Sequence, residues 1–266
     1  MGSDVPPPGV DPSRAHSARI WNYWLGGRDN FAADREMGEQ IRGFFPEIVR
    51  NARADREFQI RAVRALVTEY GIRQFLDIGA GLPTRNNTHQ VAQALAPESR
   101  VVYADHDPLV LAYARELLVG DPRGRTDYLH ADLTEPEAIL RSAAETLDLQ
   151  RPVALLLLGV LNFIEDDAVV DAALDRLRTA LPAGGAMVIS HPTMVISPER
   201  AAEVVRVWNE TSTPRLTART PQRISAMFGN LRLLEPGVVS CPLWRPDGQA
   251  TVTEPVDEFG GVALER

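Results

Sequence analysis

The residues best suited to chemistry are acids and glycines at the ends of apolar runs. Phe75-Leu76-Asp77-Ile78 runs straight into Gly79-Ala80-Gly81. An apolar run closed by a glycine pair reads as a buried strand entering a tight loop. Glycines there let the backbone adopt positive φ and approach a ligand closely. The N–H groups of the loop, and of a helix following it, can meet a polar or anionic group. A second run, Val101 to Ala104, ends in Asp105 and His106. A carboxylate at this place accepts the two hydroxyls of a ribose, and His106 can flank a base. A third run ends His130-Ala131-Asp132-Leu133. Asp132 is placed to accept an adenine amino group, with the Leu133 backbone near the ring edge. A fourth ends Gly159-Val160-Leu161-Asn162, which should lie under the rest of the ligand and face whatever reacts with it. Each acid alone has a plain reading as a cap or turn residue. Three in series at strand ends point to a ligand site.

Those ends need elements to position them. The sequence predicts strands over Gln74–Ile78, Arg100–Ala104, Thr126–His130, Val153–Leu158 and Ala186–Ser190. Helices are predicted between them, over 87–96, 108–119, 135–144 and 166–181. Strands alternating with helices imply an α/β fold, a parallel sheet covered on both faces. In such sheets ligands bind at the carboxyl ends of the strands. Later helices are expected from Pro198 to Trp208 and from Pro221 to Phe228. Late strands are expected at Leu231–Leu234 and at Phe259–Leu264, the last able to run antiparallel to its neighbour. About 70 residues precede the first strand. They read as three helices, over 13–25, 31–43 and from Pro46 to Tyr70, with Asn30 able to cap the second. Residues 1–70 are therefore expected as a helical cap, and 71–266 as the ligand-binding domain. Segments 211–220 and 242–258 look like linkers.

Composition narrows the chemistry. Of 266 residues 44% are apolar, enough for a full core, and the net charge is −8, which disfavours broad binding to nucleic acid or anionic membranes. No apolar stretch is long enough to span a bilayer, and the Pro-rich start has no signal-peptide core, so a cytoplasmic protein is expected. All 28 basic residues are Arg. Without lysine there is no Schiff base, lysine nucleophile or Walker lysine. The lone Cys241 excludes an intrachain disulfide and reads as a small buried residue. The histidines show no metal-ligand spacing, and no metal is expected.

Asp77-x-Gly79-x-Gly81 resembles motif I of class I S-adenosylmethionine methyltransferases. The likeness extends further. Ser17-Ala18-Arg19-Ile20-Trp21-Asn22-Tyr23-Trp24-Leu25-Gly26-Gly27-Arg28-Asp29-Asn30-Phe31, Arg73-Gln74-Phe75-Leu76-Asp77-Ile78-Gly79, Val101-Val102-Tyr103-Ala104-Asp105-His106-Asp107-Pro108 and Trp244-Arg245-Pro246-Asp247 resemble an actinobacterial S-adenosyl methyltransferase family, once catalogued as a domain of unknown function. The resemblance implies a Rossmann-like class I fold with a mostly parallel, seven-stranded sheet. It also implies that S-adenosylmethionine is bound, with Asp77, Gly79, Gly81, Asp105, His106, Asp132, Leu133 and Gly159 in its site. It names no substrate.

S-adenosylmethionine carries an ammonium that an acid can hold, and a carboxylate that needs a cation. Arg28 follows Gly26-Gly27, a pair that could aim it inward, and guanidinium grips a carboxylate through two hydrogen bonds. Equally, Arg28 could pair with Asp29, Asp34 or another acid of the cap. Methyl transfer mainly requires alignment, with a base only where the acceptor must lose a proton. Tyr23, Asn162 and His191 are the acceptor-side candidates, Asn162 only to orient. The aromatic cluster Trp21, Tyr23, Trp24 and Phe31 could bind a cation but more simply packs the cap on the sheet. The arginines of the third helix (Arg50, Arg53, Arg56, Arg61, Arg64) read as a solvated face. The expected activity is methyl transfer to a small molecule. The alternatives are a S-adenosylmethionine sensor without transfer activity and a nicotinamide-dependent dehydrogenase. The last is weakened by Asp77 and by Thr84, which stands where a dinucleotide fingerprint has its third glycine.

Overall fold

A computed structural model describes residues 10–107, 110 and 120–266. Three helices come first: α1 (Ser17–Trp24), α2 (Ala32–Phe44) and α3 (Ile48–Thr68). Then β1 (Gln74–Ile78), α4 (Thr88–Leu95), β2 (Arg100–Asp105), β3 (Arg125–His130), α5 (Pro136–Ala143) and β4 (Ala154–Leu158) alternate. They are followed by α6 (Asp167–Thr179), β5 (Ala186–Pro192), α7 (Pro198–Thr211) and α8 (Pro221–Ala226). The short strands β6 (Arg232–Leu233) and β7 (Val239–Ser240) precede the final strand β8 (Glu258–Leu264). The helix expected over 108–119 lies almost wholly outside the described residues.

The strands form one sheet in the order β3-β2-β1-β4-β5-β8-β6. The first five are parallel, and β8 runs antiparallel to β5. The chain leaves β1 toward β2 on one side and returns to β4 on the other. The switch point therefore falls between β1 and β4, where their carboxyl ends open a crevice. The sheet has eight strands, one more than expected. The edge of β8 is shared: β6 pairs with Ala263 and Leu264, β7 with Phe259 and Gly260. Pro236, which lacks an N–H, and Gly237 lie between them and split the partner into two pieces.

The central strands are buried, as their apolar runs require. Leu155, Leu156 and Leu157 of β4 are at most 2% exposed, in contact with helices on both faces. The cap is less separate than the sequence suggests. Phe58, Ala62 and Leu66 of α3 belong to the core of the sheet, and Phe58 packs edge-on against Trp244 with ring centroids 5.4 Å apart. Ile20, Trp24, Met37, Ile41 and Phe45 build a second core together with Val204 and Trp208 of α7. The third-helix arginines are not all solvated. Arg61 is 5% exposed, with Nε donating to the Trp244 carbonyl at 3.0 Å and Nη2 to that of Cys241 at 2.7 Å. Both carbonyls belong to the turn at 241–244, so the Arg61 guanidinium ties α3 to that turn. Asn30 does not cap α2. Its amide donates to the Asn22 side chain and the Gly27 carbonyl, while Asp34 reaches back to the Phe31 N–H at 2.8 Å.

Candidate active site

One cleft opens at the carboxyl ends of β1, β2 and β4, roofed by α1, α3 and α7, with about 1540 Å³ of empty space counted out to its mouth. Asp77, Gly79, Gly81, Asp105, His106, Gly159 and Asn162 all line it. Gly79, Gly81 and Gly159 have φ of +75°, +62° and +59°, the left-handed region that side chains resist. A Cβ on Gly79 would come within 2.4 Å of Val160, so this glycine lets the β1 loop and the β4 loop touch. On Gly81 and Gly159 a Cβ would meet no protein atom. Their bare backbones leave space open for a ligand.

Asp105 ends β2 with one oxygen accepting from the Gly81 N–H at 2.8 Å and the other from the Asp107 N–H at 2.9 Å. Asp107 faces the cap, where the His16 ring approaches it at 3.3 Å. Asp77 is buried beneath the loop and accepts from the Thr88 hydroxyl at 2.6 Å. Burial raises its carboxyl to about 6, against the pull of Thr88 and Arg56. Arg56 of α3 lies in the cleft wall and donates to the Gln59 side chain, Thr84, the Arg85 carbonyl and Asn87, tying the cap to the glycine loop.

Other candidates stand elsewhere. Asp132 is exposed and bonded to the Thr134 N–H and hydroxyl, and Leu133 is buried in the sheet core; neither lines the cleft. Arg28 is exposed and outside the cleft wall. Of the acids suggested for it, Asp34 is taken by Arg19, at 3.0 Å. Tyr23 lies outside the cleft and donates to Glu39. His191 is fully buried, with Nδ1 toward the Pro192 carbonyl and Nε2 accepting from Arg219, each at 2.9 Å. Burial pushes it down to about 3. Both nitrogens are engaged, so it carries no free lone pair for base catalysis.

Sequence reasoning missed His16, Arg56, Gln59 and the acids Asp55, Asp257 and Glu258 in the cleft wall. A signal existed for Asp55. It falls with Ala52, Phe58 and Ala62 on the apolar stripe of α3, so it had to be buried. It also missed Arg219, which is buried and bonds the carbonyls of Leu161 and Ile164 and the Asp167 carboxylate. That one side chain holds the β4 loop, with Asn162, against the end of β5.

A family model described as S-adenosyl methyltransferase matches residues 3–266. The chain belongs to this family. The methyltransferase is similar to a DUF574 family protein from Streptomyces avermitilis, with 39% identity, a TM-score of 0.91, and coverage of 96% of this chain and 99% of that one. A candidate methyltransferase from Thermobifida fusca is 38% identical with a TM-score of 0.88, over 99% and 100% of the two chains. An O-methyltransferase family protein from Burkholderia thailandensis, 14% identical, shares the fold with a TM-score of 0.53 over 82% of this chain and 59% of that one. No match is found among curated proteins. The methyltransferase depends on S-adenosylmethionine, and the sheet is that of the class I fold with one added short strand. Among the described residues no helix is long and apolar enough to cross a membrane.

Proposed function

We propose that this cleft is the active site, with the methyl donor over the ends of β1 and β2 and a small-molecule acceptor under the cap. The observation that carries the reading is the convergence of Asp77, Asp105 and three positive-φ glycines on one cavity. In this reading Asp105 receives the ribose hydroxyls, the Gly79–Gly81 backbone borders the donor, and His106 flanks the adenine. Asp77 faces the donor's ammonium. S-adenosylmethionine supplies the methyl group as an electrophile already activated by its sulfonium. What remains for the protein is to hold, align and exclude water.

The acceptor half of the cleft suits an apolar molecule. Trp21, Trp24, Phe45, Phe163, Trp208 and Leu216 line it. Such walls with few polar groups are those of a small-molecule pocket. A net charge of −8 speaks against a nucleic-acid acceptor. We place the activity in the cytoplasm, a reading supported by the lack, among the described residues, of a helix able to cross a membrane.

Calorimetry with S-adenosylhomocysteine tests the donor assignment. Hydrogen bonds to a charged acceptor contribute roughly 1.5–3 kcal/mol each, so Asp105→Ala should weaken binding by about ten- to a hundredfold while the fold persists. An unchanged dissociation constant would remove Asp105 from the site.

A further inference from the structure

The cleft contains polar groups that the donor does not use. Asp55 on α3 is 6% exposed, Glu258 at the start of β8 is 3% exposed, and both line the cleft. Their position follows from the packing of α3. Asp55 lies one turn before Phe58, whose ring fills the space over Gly260 of β8; a Cβ on Gly260 would come within 2.6 Å of that ring. Asp55 is thereby set over β5 and β8, beside the Ser190 hydroxyl. Glu258 stands opposite Pro192 in the β5–β8 register. These strands lie two and three places from β1, away from Asp77 and Asp105.

Asp55 Oδ1, Glu258 Oε1 and Asn162 Oδ1 are buried and have no hydrogen-bond partner. All three are acceptors, and the Ser190 hydroxyl beside Asp55, also without a partner, brings only a single donor, so donors are in deficit here. Arg56 is the cation beside Asp55, but its N–H groups are directed at Gln59, Thr84, Arg85 and Asn87. The other charged or titratable neighbours of the pair are Asp77, Asp257 and Cys241, none of them cationic. Among the described residues no three His, Cys, Asp or Glu side chains are grouped to hold a metal. The walls beyond are the aromatic and apolar ones already described.

We propose that Asp55 and Glu258 form the polar end of the acceptor subsite and receive an amine carried on an apolar body. The proposal rests on the reading of the cleft as the methyltransferase site. An amine brings several N–H donors to the unpartnered oxygens of Asp55 and Glu258, and as an ammonium it also brings positive charge. An alcohol brings a single donor. A carboxylate brings none and meets like charge. The aromatic walls also favour a cation over a neutral group. An ammonium has no lone pair and must release a proton before its nitrogen can act as a nucleophile. That proton passes from the nitrogen to Asp55 Oδ1, leaving a neutral amine and a neutral carboxyl. Burial holds this carboxyl at about 6, above the ordinary aspartate range, so it is a better proton acceptor than an exposed one.

Calorimetric titration of phenethylamine and phenethyl alcohol into the full chain, with and without saturating S-adenosylhomocysteine, tests this. The amine should bind at least about tenfold more tightly than the alcohol. Asp55→Asn combined with Glu258→Gln should abolish that preference and leave S-adenosylhomocysteine affinity unchanged. If the double variant does not fold, Asp55→Asn alone is read by the same criterion. Equal affinities for amine and alcohol, binding of neither, or a preference that survives the substitutions would overturn the proposal. So would a parallel loss of S-adenosylhomocysteine affinity, which would assign the acids to the donor. If wild-type protein fails to bind S-adenosylhomocysteine, the donor assignment falls, and the amine preference measured without it still decides the subsite.

Discussion

Replacing Asp55 by Asn should stabilise the methyltransferase, and only above acidic pH. Asp55 is buried on α3, and burial raises its carboxyl from 3.8 to about 6. Well below 3.8 the group is protonated in the folded and the unfolded chain alike and contributes no pH dependence. As pH rises, the unfolded chain ionises first, so the folded state loses stability progressively. Above about 6 both forms are ionised and the penalty is complete, about 3 kcal/mol for this displacement. Asn keeps the shape and has no charge to desolvate. That figure is already net of the Arg56 charge and the neighbouring Ser190 hydroxyl, both of which pull the carboxyl down. A stabilisation of about 3 kcal/mol is expected near pH 8, worth about 6–12 °C in Tm for a domain of this size. Urea titrations of both proteins at about pH 3 and about pH 8 measure it. The variant should unfold at higher urea in the second condition and match wild type in the first. A shift of equal size at both pH values, or destabilisation near pH 8, would refute the reasoning.

The Gly79→Ala variant should lose about 2–5 kcal/mol of stability, because the position needs positive φ and its new Cβ would overlap Val160. Adding Val160→Ala should restore the overlap portion, and strictly additive losses in a double-mutant cycle would show that the two loops do not touch. Arg28→Met should leave the dissociation constant of S-adenosylhomocysteine within about twofold of wild type, since Arg28 is exposed and outside the cleft wall. A larger loss would bring Arg28 back to the cofactor's carboxylate.

Most of the sheet was legible because its strands are continuous apolar runs bounded by Gly, Asp and Pro. The predicted β1, Gln74–Ile78, coincides with the observed strand, and the other long strands differ by one or two residues at their ends. Asp77, Asp105 and the glycines could be read because a strand end fixes where its last side chains go. Asp132 lies two residues past the end of β3, a half-exposed edge strand, and its carboxylate turns back onto Thr134, a local choice that spacing does not reveal. The cap was harder. Charge on a helix reads as solvated, but Arg56 and Arg61 satisfy carbonyls and side chains that come from distant parts of the chain. His191 illustrates the converse. As a residue at a strand end it was a candidate base, and only the fold reveals that Arg219, 28 positions later, occupies Nε2.

The core shared by α1, α2 and α7 has an evolutionary consequence. Trp24 and Phe45 at one end of the chain and Val204 and Trp208 near the other belong to a cluster distinct from the two that flank the sheet. Residues of that cluster also form walls of the cleft half proposed to take the acceptor. Asp77, Asp105 and the glycines, by contrast, stand on strands whose packing lies elsewhere. On the proposed assignment, substitutions that reshape the pocket for a new acceptor are thus drawn from a pool that barely overlaps the one constrained by donor binding. Selection can act on the two half-sites separately, and chimeras exchanging α1, α2 and α7 together should carry acceptor preference with them while donor affinity stays with the recipient sheet.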